Sequence, residues 1–253
     1  YEAGGIGLIS GVQCRPVRGE HGVMDPGEVE AAVRGIDIHL PRSSLLCLEN
    51  TNNVAGGTVV PLENFDAMRA IADRHGMKIL LDGARLFHAA LAAGVDASEY
   101  AARADLAWVA LSKGLSAPVG SVVCGTAEDV RRARRIRKVL GGGMRQVGVL
   151  AAAGRVALAT GVARLADDPR RARRLAEAAA ELPGTTVDLE RTLTNIVLLR
   201  FDEPRAREVA DRLAEHGVLA MPMAADRLRF CTHRLIDDDD VERATHHLRL
   251  IVS

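Results

Sequence analysis

The chain has 253 residues, with 33 Lys plus Arg balanced by 33 Asp plus Glu and a 48% hydrophobic content. That is enough apolar material for a substantial core, and no net charge draws the protein to nucleic acid or a membrane surface, so a small-molecule partner is expected. Cys14, Cys47, Cys124 and Cys231 lack the paired short spacings of a zinc site or a disulfide framework and are expected to be reduced, mostly buried thiols.

The chain passes from Tyr1 straight into the Gly-rich stretch Glu2 to Gly7, so a missing N-terminal segment is expected. Asp25-Pro26-Gly27-Glu28 predicts a capped helix running to about Arg34. Leu45 to Leu48 reads as a buried strand. Pro61 opens a helix whose Leu62, Phe65, Met68, Ile71 and Ala72 share one face, and Gly76 closes it. Met77 to Leu81 is a second buried strand, 86–93 a helix, and Leu106 to Leu111 a third strand. Strands alternating with helices predict a parallel sheet with covering helices.

Ser121 to Cys124 predicts one more strand, and Thr126 with Asp129 the capped start of a basic helix. A long bridging helix is expected over 144–165, with Val147, Leu150, Ala151, Gly154, Leu158, Val162 and Leu165 along one stripe. From Asp168 the texture predicts a helix, a strand at 195–201, a helix ending at Gly217, two short strands and a final helix. The expected division is a large domain over 1–165 and a small α/β domain over 166–253. No run approaches the ~20 apolar residues of a membrane-spanning helix, and a cytoplasmic protein is expected.

Two of the strands end in reactive groups, the first in Asp82-Gly83-Ala84-Arg85 and the second in Ser112-Lys113-Gly114. Ligands of open parallel sheets bind beyond the carboxyl ends of strands, which nominates Asp82, Arg85 and Lys113 for one crevice. A desolvated lysine loses its proton more readily, and the free amine forms a Schiff base with a carbonyl. An ionised carboxylate such as Asp82 keeps a pyridoxal ring nitrogen protonated, and Arg85 offers a planar fork to a carboxylate. Each residue also has a plainer role open to it: Asp82 as a helix cap, Arg85 in a surface pair, Lys113 as a solvated loop side chain.

Taken together, four segments resemble the low-specificity threonine aldolases. They are Leu48-Glu49-Asn50-Thr51, then Leu81-Asp82-Gly83-Ala84-Arg85-Leu86-Phe87, then Leu111-Ser112-Lys113-Gly114-Leu115 with Ala117-Pro118-Val119-Gly120-Ser121, and finally Gly141-Gly142-Gly143-Met144-Arg145-Gln146. The resemblance spans essentially the whole chain. It implies a fold-type-I pyridoxal-phosphate lyase with a mostly parallel large domain and a small C-terminal domain, assembled as a homo-oligomer, a tetramer. The implied reaction is retro-aldol cleavage of L-threonine, L-allo-threonine and related β-hydroxy-α-amino acids to glycine and an aldehyde. Lys113 would carry pyridoxal 5'-phosphate with Ser112 beside it, Asp82 would pair with the ring nitrogen, and Arg85 and Arg229 would hold the substrate carboxylate. Another fold-type-I activity, β-elimination or transamination, and a truncated non-catalytic homologue stay open as alternatives.

The sequence departs from the family at Asn52, where His usually follows Glu-Asn-Thr; an amide is no proton acceptor at neutral pH, so the general base is unassigned. The family's phosphate cradle and ring-stacking His would precede Tyr1. The Gly141–Gly143 turn with Arg145 is either a phosphate-facing helix start or a plain connector. The basic run from Arg131 to Lys138 lacks aromatics and reads as a solvated or intersubunit face. Asp237 to Asp240 suit the positive end of the last helix better than a metal, and adjacent His246 and His247 make a poor metal pair.

Overall fold

The computed structural model describes residues 2–253. Its first part holds a short helix α1 (Gly5–Ser10), a hairpin of β1 (Gly19–Glu20) and β2 (Val23–Met24), and α2 (Pro26–Ala32). Asp25 caps α2 by accepting the Glu28 amide at 3.0 Å, and the helix ends two residues before Arg34.

Next come β3 (Leu45–Glu49), α3 (Leu62–Arg74), β4 (Lys78–Gly83), α4 (Leu86–Ala93), a short α5 (Ala97–Ala101), β5 (Leu106–Ala110) and β6 (Ser121–Gly125). The sheet order is β3-β4-β5-β6. The two crossovers through α3 and α4–α5 make β3, β4 and β5 parallel. Residues 111–120 are too few for a crossover helix, so β6 returns antiparallel beside β5 and leaves Lys113 at the turn. Phe65, Met68, Ile79, Leu81 and Tyr100 form the fully buried centre of this core, with the Phe65 and Tyr100 rings edge to face at 5.1 Å. Their burial is what clamps α3 and α5 to the sheet.

Two sequence expectations fail here. The strand at 45–48 is not buried throughout: it is the sheet edge, where Leu48 is buried in the core, Leu46 packs partly against it, and Leu45 and Cys47 are exposed. The cysteines are free but not mostly buried, since Cys14, Cys47 and Cys124 are exposed and Cys231 is half-buried. Cys47 and Cys124 sit on the two edge strands, where one face lacks cover among the described residues.

Thr126 caps α6 (Ala127–Val139) by accepting the Asp129 amide, and this basic helix buries none of its residues. The long helix expected over 144–165 runs unbroken from Gly148 to Arg164, but as α7 (Gly148–Val156), a π-helical turn (Ala157–Gly161) and α8 (Val162–Arg164). The wider turn rotates the buried face, so Ala157 and Gly161 turn inward in place of Leu158. At Gly161 an added Cβ would lie 3.2 Å from the Leu115 carbonyl, so the lysine loop packs directly on this turn.

The remaining elements are α9 (Asp167–Ala180), β7 (Thr185–Thr186), β8 (Ile196–Phe201), α10 (Ala206–Glu215), β9 (Met221–Ala224), β10 (Arg227–Cys231) and α11 (Asp238–Val252). They form an antiparallel sheet β7-β8-β10-β9 with a core centred on Leu199, Leu213, Leu228 and Leu248. Asp237 and Asp240 cap α11 reciprocally, the helix-start role expected for this acidic run. His247 stacks on His216 at 4.3 Å and meets the His246 ring edge to face at 5.2 Å.

Candidate active site

Strand register assembles the acidic side of the site. Glu49 stands opposite Asp82, and Asp82 opposite Trp108, so the three side chains share one face at the carboxyl ends of the strands. Lys113, from the following turn, places Nζ 6.0 Å from the Trp108 ring centroid. Asp82 also accepts the Ala84 amide at 3.0 Å, which fixes the start of the turn into α4. Asp82 thus holds the turn rather than capping the helix, whose N-cap position is Arg85 and receives no side-chain bond. Burial pushes the Glu49 carboxyl above its ordinary range and the charge of Asp82 adds to this, while the Asn53 amide, Arg85 and Lys113 pull it back. Glu49, Asp82, Arg85 and Lys113 therefore act on one another electrostatically. Ser112 is exposed at the same turn.

The cationic side comes from two places in the chain. Arg85, entering α4, donates from Nη1 to Asn53 Oδ1 at 3.2 Å. Arg229, on β10, donates from its own Nη1 to the same oxygen at 2.9 Å. Burial, reinforced by the like charge of Arg229, lowers the Arg85 pKa below its usual value. Arg229 Nε is buried with no hydrogen-bond partner. The two guanidinium groups thus meet on one oxygen of Asn53.

The loop after β3 carries Asn53 and is tied at both ends. Asn50 exchanges two bonds with the Val60 backbone, and Asn52 Nδ2 donates to Glu49 Oε2 at 2.9 Å while its Oδ1 accepts the Ala55 amide. Asn52 is therefore committed to the loop's own structure, and Gly22 of the hairpin packs against it so closely that an added Cβ would lie 2.5 Å from Asn52 Cγ.

Beneath the lysine turn lies a buried network that sequence reasoning missed. Asp168, fully buried, accepts from Arg164 Nη1 at 2.8 Å and Nη2 at 3.1 Å and pairs with His88 Nε2 at 3.2 Å. Arg164 Nη2 also donates to the Gly114 carbonyl at 3.1 Å, next to Lys113. Thr232 Oγ1 donates to the Asp168 carbonyl at 2.7 Å, tying in the end of the Arg229 strand. The four-residue spacing of Arg164 and Asp168 was the available signal.

Together these groups suit a ligand with a carbonyl for the Lys113 amine, a basic ring nitrogen for Asp82 and a carboxylate for the guanidinium pair.

The family model described as beta-eliminating lyase matches residues 1–203. A probable low-specificity L-threonine aldolase 2 of Arabidopsis thaliana is 44% identical over 248 residues, covering 96% of this chain and 70% of the relative. The low specificity L-threonine aldolase of Escherichia coli K12 is 34% identical over 254 residues, covering 100% and 74%. Among solved structures, a putative L-allo-threonine aldolase from Listeria monocytogenes superposes with a TM-score of 0.81 at 18% identity, covering 99% of this chain and 71% of that one.

Proposed function

Because this chain belongs to the beta-eliminating lyase family and has the fold-type-I architecture of pyridoxal-phosphate enzymes, we propose that it cleaves L-threonine, L-allo-threonine and related β-hydroxy-α-amino acids to glycine and an aldehyde. One observation carries the assignment of the site. The sequence has three lysines, Lys78, Lys113 and Lys138. Lys78 starts β4 at the opposite end of the sheet and pairs with Asp105, and Lys138 lies on the exposed helix α6. Lys113 alone stands at the strand ends with Asp82 and the two arginines.

Pyridoxal phosphate, when bound, supplies a conjugated ring that accepts the electron pair of a broken bond. Lys113 would hold it through its side-chain nitrogen, with Ser112 beside it. Asp82 would keep a proton on the ring nitrogen, its carboxylate already oriented by the Ala84 amide. Arg85 and Arg229 would grip the α-carboxylate and so orient the Cα–Cβ bond for cleavage, with a bidentate geometry that a lysine could not provide. Asn52, engaged with Glu49 and Ala55, serves to shape the loop rather than to take the hydroxyl proton. A homotetramer fits the same reading, supported by the exposed apolar residues Ile136, Val139, Leu140, Met144, Val147 and Val149 on and after α6.

Product analysis tests the activity. Protein supplied with pyridoxal phosphate and L-threonine or L-allo-threonine should release glycine and acetaldehyde in equal amounts. Formation of an oxo-acid and ammonia instead would reassign it to β-elimination, and an oxo-acid formed only with an amino acceptor would reassign it to transamination.

A further inference from the structure

Two guanidinium groups that meet on one atom repel each other unless something between them satisfies their donors. Here the mediator is the neutral oxygen of Asn53, at 3.2 Å from Arg85 Nη1 and 2.9 Å from Arg229 Nη1. Two acids, Glu49 and Asp82, act on Arg85 through their charge, and Glu49 also accepts the Asn53 amide on Oε1 at 3.0 Å and Asn52 Nδ2 on Oε2 at 2.9 Å. Arg229 Nη2 faces the thioether of Met221 at 3.2 Å, a weak acceptor, and its Nε is buried without a partner. The pair is thus held together by a neutral oxygen, while the fields of Glu49 and Asp82 offset part of the Arg85 charge.

Asn53 is itself held on a fixed loop. Thr194 Oγ1 donates to the Gly57 carbonyl at 2.9 Å. Gly56 and Gly57, both at positive φ, approach Leu198 and Thr194 where an added Cβ would collide. The loop therefore spans from the parallel sheet to β8, and Asn53 stands where arginines from the two sheets' elements meet.

We propose that Asn53 is a specificity-determining residue. Its amide oxygen sets the spacing of Arg85 and Arg229 without adding an anion of its own to compete with an incoming α-carboxylate, so the site selects amino acids over their neutral amides. The proposal rests on the pyridoxal-phosphate reading above. Its chemistry makes the choice of side chain critical: an Asp of the same shape would neutralise the clamp, whereas Asn satisfies the N–H groups and adds no charge.

The test compares glycine with glycinamide, which lacks the carboxylate, by titrating each into the cofactor-loaded protein and following the cofactor's visible absorption. Wild type should bind glycine more tightly than glycinamide. Asn53→Asp should weaken glycine at least about tenfold and leave glycinamide little changed, because an internal anion now competes for both arginines. Melting of the cofactor-free proteins supplies the second readout: Asn53→Asp should melt at or above wild type, since its carboxylate joins the two guanidinium groups. A variant that keeps the wild-type preference for glycine would overturn the proposal, as would one that weakens both ligands equally or melts clearly lower, since each of these marks a packing role. A wild-type protein that shows no spectral response to glycine would refute the underlying cofactor reading, and is told apart because the wild type itself fails.

Discussion

Replacing Asp168 with Ala removes the acceptor shared by Arg164 and His88. The Asp168 side chain is fully buried, that of His88 is 2% exposed and that of Arg164 18% exposed, so water can replace little of what is lost. Burial alone would raise the Asp168 pKa, but the bonds from His88 and Arg164 outweigh it and hold the value below the ordinary one, which marks the ionised form as the stabilising one. Removing one partner of a buried ion pair typically costs about 3–5 kcal/mol, mostly because the other charge is left buried and unpaired. For a chain of this size that is a fall in Tm of roughly 6–20 °C. Thermal and urea denaturation of Asp168→Ala would measure it. The double variant Asp168→Ala with Arg164→Met should recover a large part of the loss, since it removes the stranded guanidinium as well. The depressed pKa adds a sign: this stabilisation is present above the unfolded carboxylate value and is lost as pH falls below it, so the gap between wild type and variant should narrow in acid. A loss below about 1 kcal/mol, or a double variant less stable than the single, would refute the claim that an uncompensated buried charge dominates here.

Two other substitutions probe the framework. Asp105 bonds Lys78, Arg69 and the Ile79 amide, and although burial opposes ionisation these bonds bring its pKa down to about 2. Asp105→Asn should therefore cost roughly 1–2 kcal/mol at neutral pH, discounted for partial exposure, and the difference from wild type should shrink as pH falls from about 4 towards 2; an unchanged gap at low pH would contradict it. Gly57→Ala would force a Cβ to within 2.2 Å of Thr194 Oγ1 at a φ of +80°, and should cost about 1–3 kcal/mol in denaturant unfolding. A neutral result would mean that the loop docks on β8 less tightly than the coordinates imply.

Much of this architecture was legible because local chemistry and global fold agree. The apolar face of α3 and the caps at Asp25 and Thr126 follow directly from spacing, as does the acidic start of α11. The strand-end positions of Asp82 and Lys113 follow from the alternation of strands and helices. The π-helical turn at Ala157–Gly161 was not legible, because it answers to the close approach of Leu115 across the fold rather than to any breaker in the local sequence. The edge position of β3 was hidden for a similar reason: an apolar run records hydrophobicity but not which neighbours a strand has.

The site divides in the same way. Arg85 and Arg229 lie far apart in the chain, and only the resemblance to a known family joined them before the coordinates did. Asn53, Asp168 and His88 carried no chemistry of their own in the sequence. Asn53 gains its role from two arginines arriving at one oxygen, and Asp168 from three donors meeting in a dry interior.

The most direct test of the account is to load the protein with pyridoxal phosphate, reduce it with borohydride and map the modified peptide. The cofactor should be found covalently attached at Lys113, and Lys113→Ala should abolish both the attachment and the visible band. Attachment at Lys78 or Lys138, or a band that survives in Lys113→Ala, would contradict the assignment of the site.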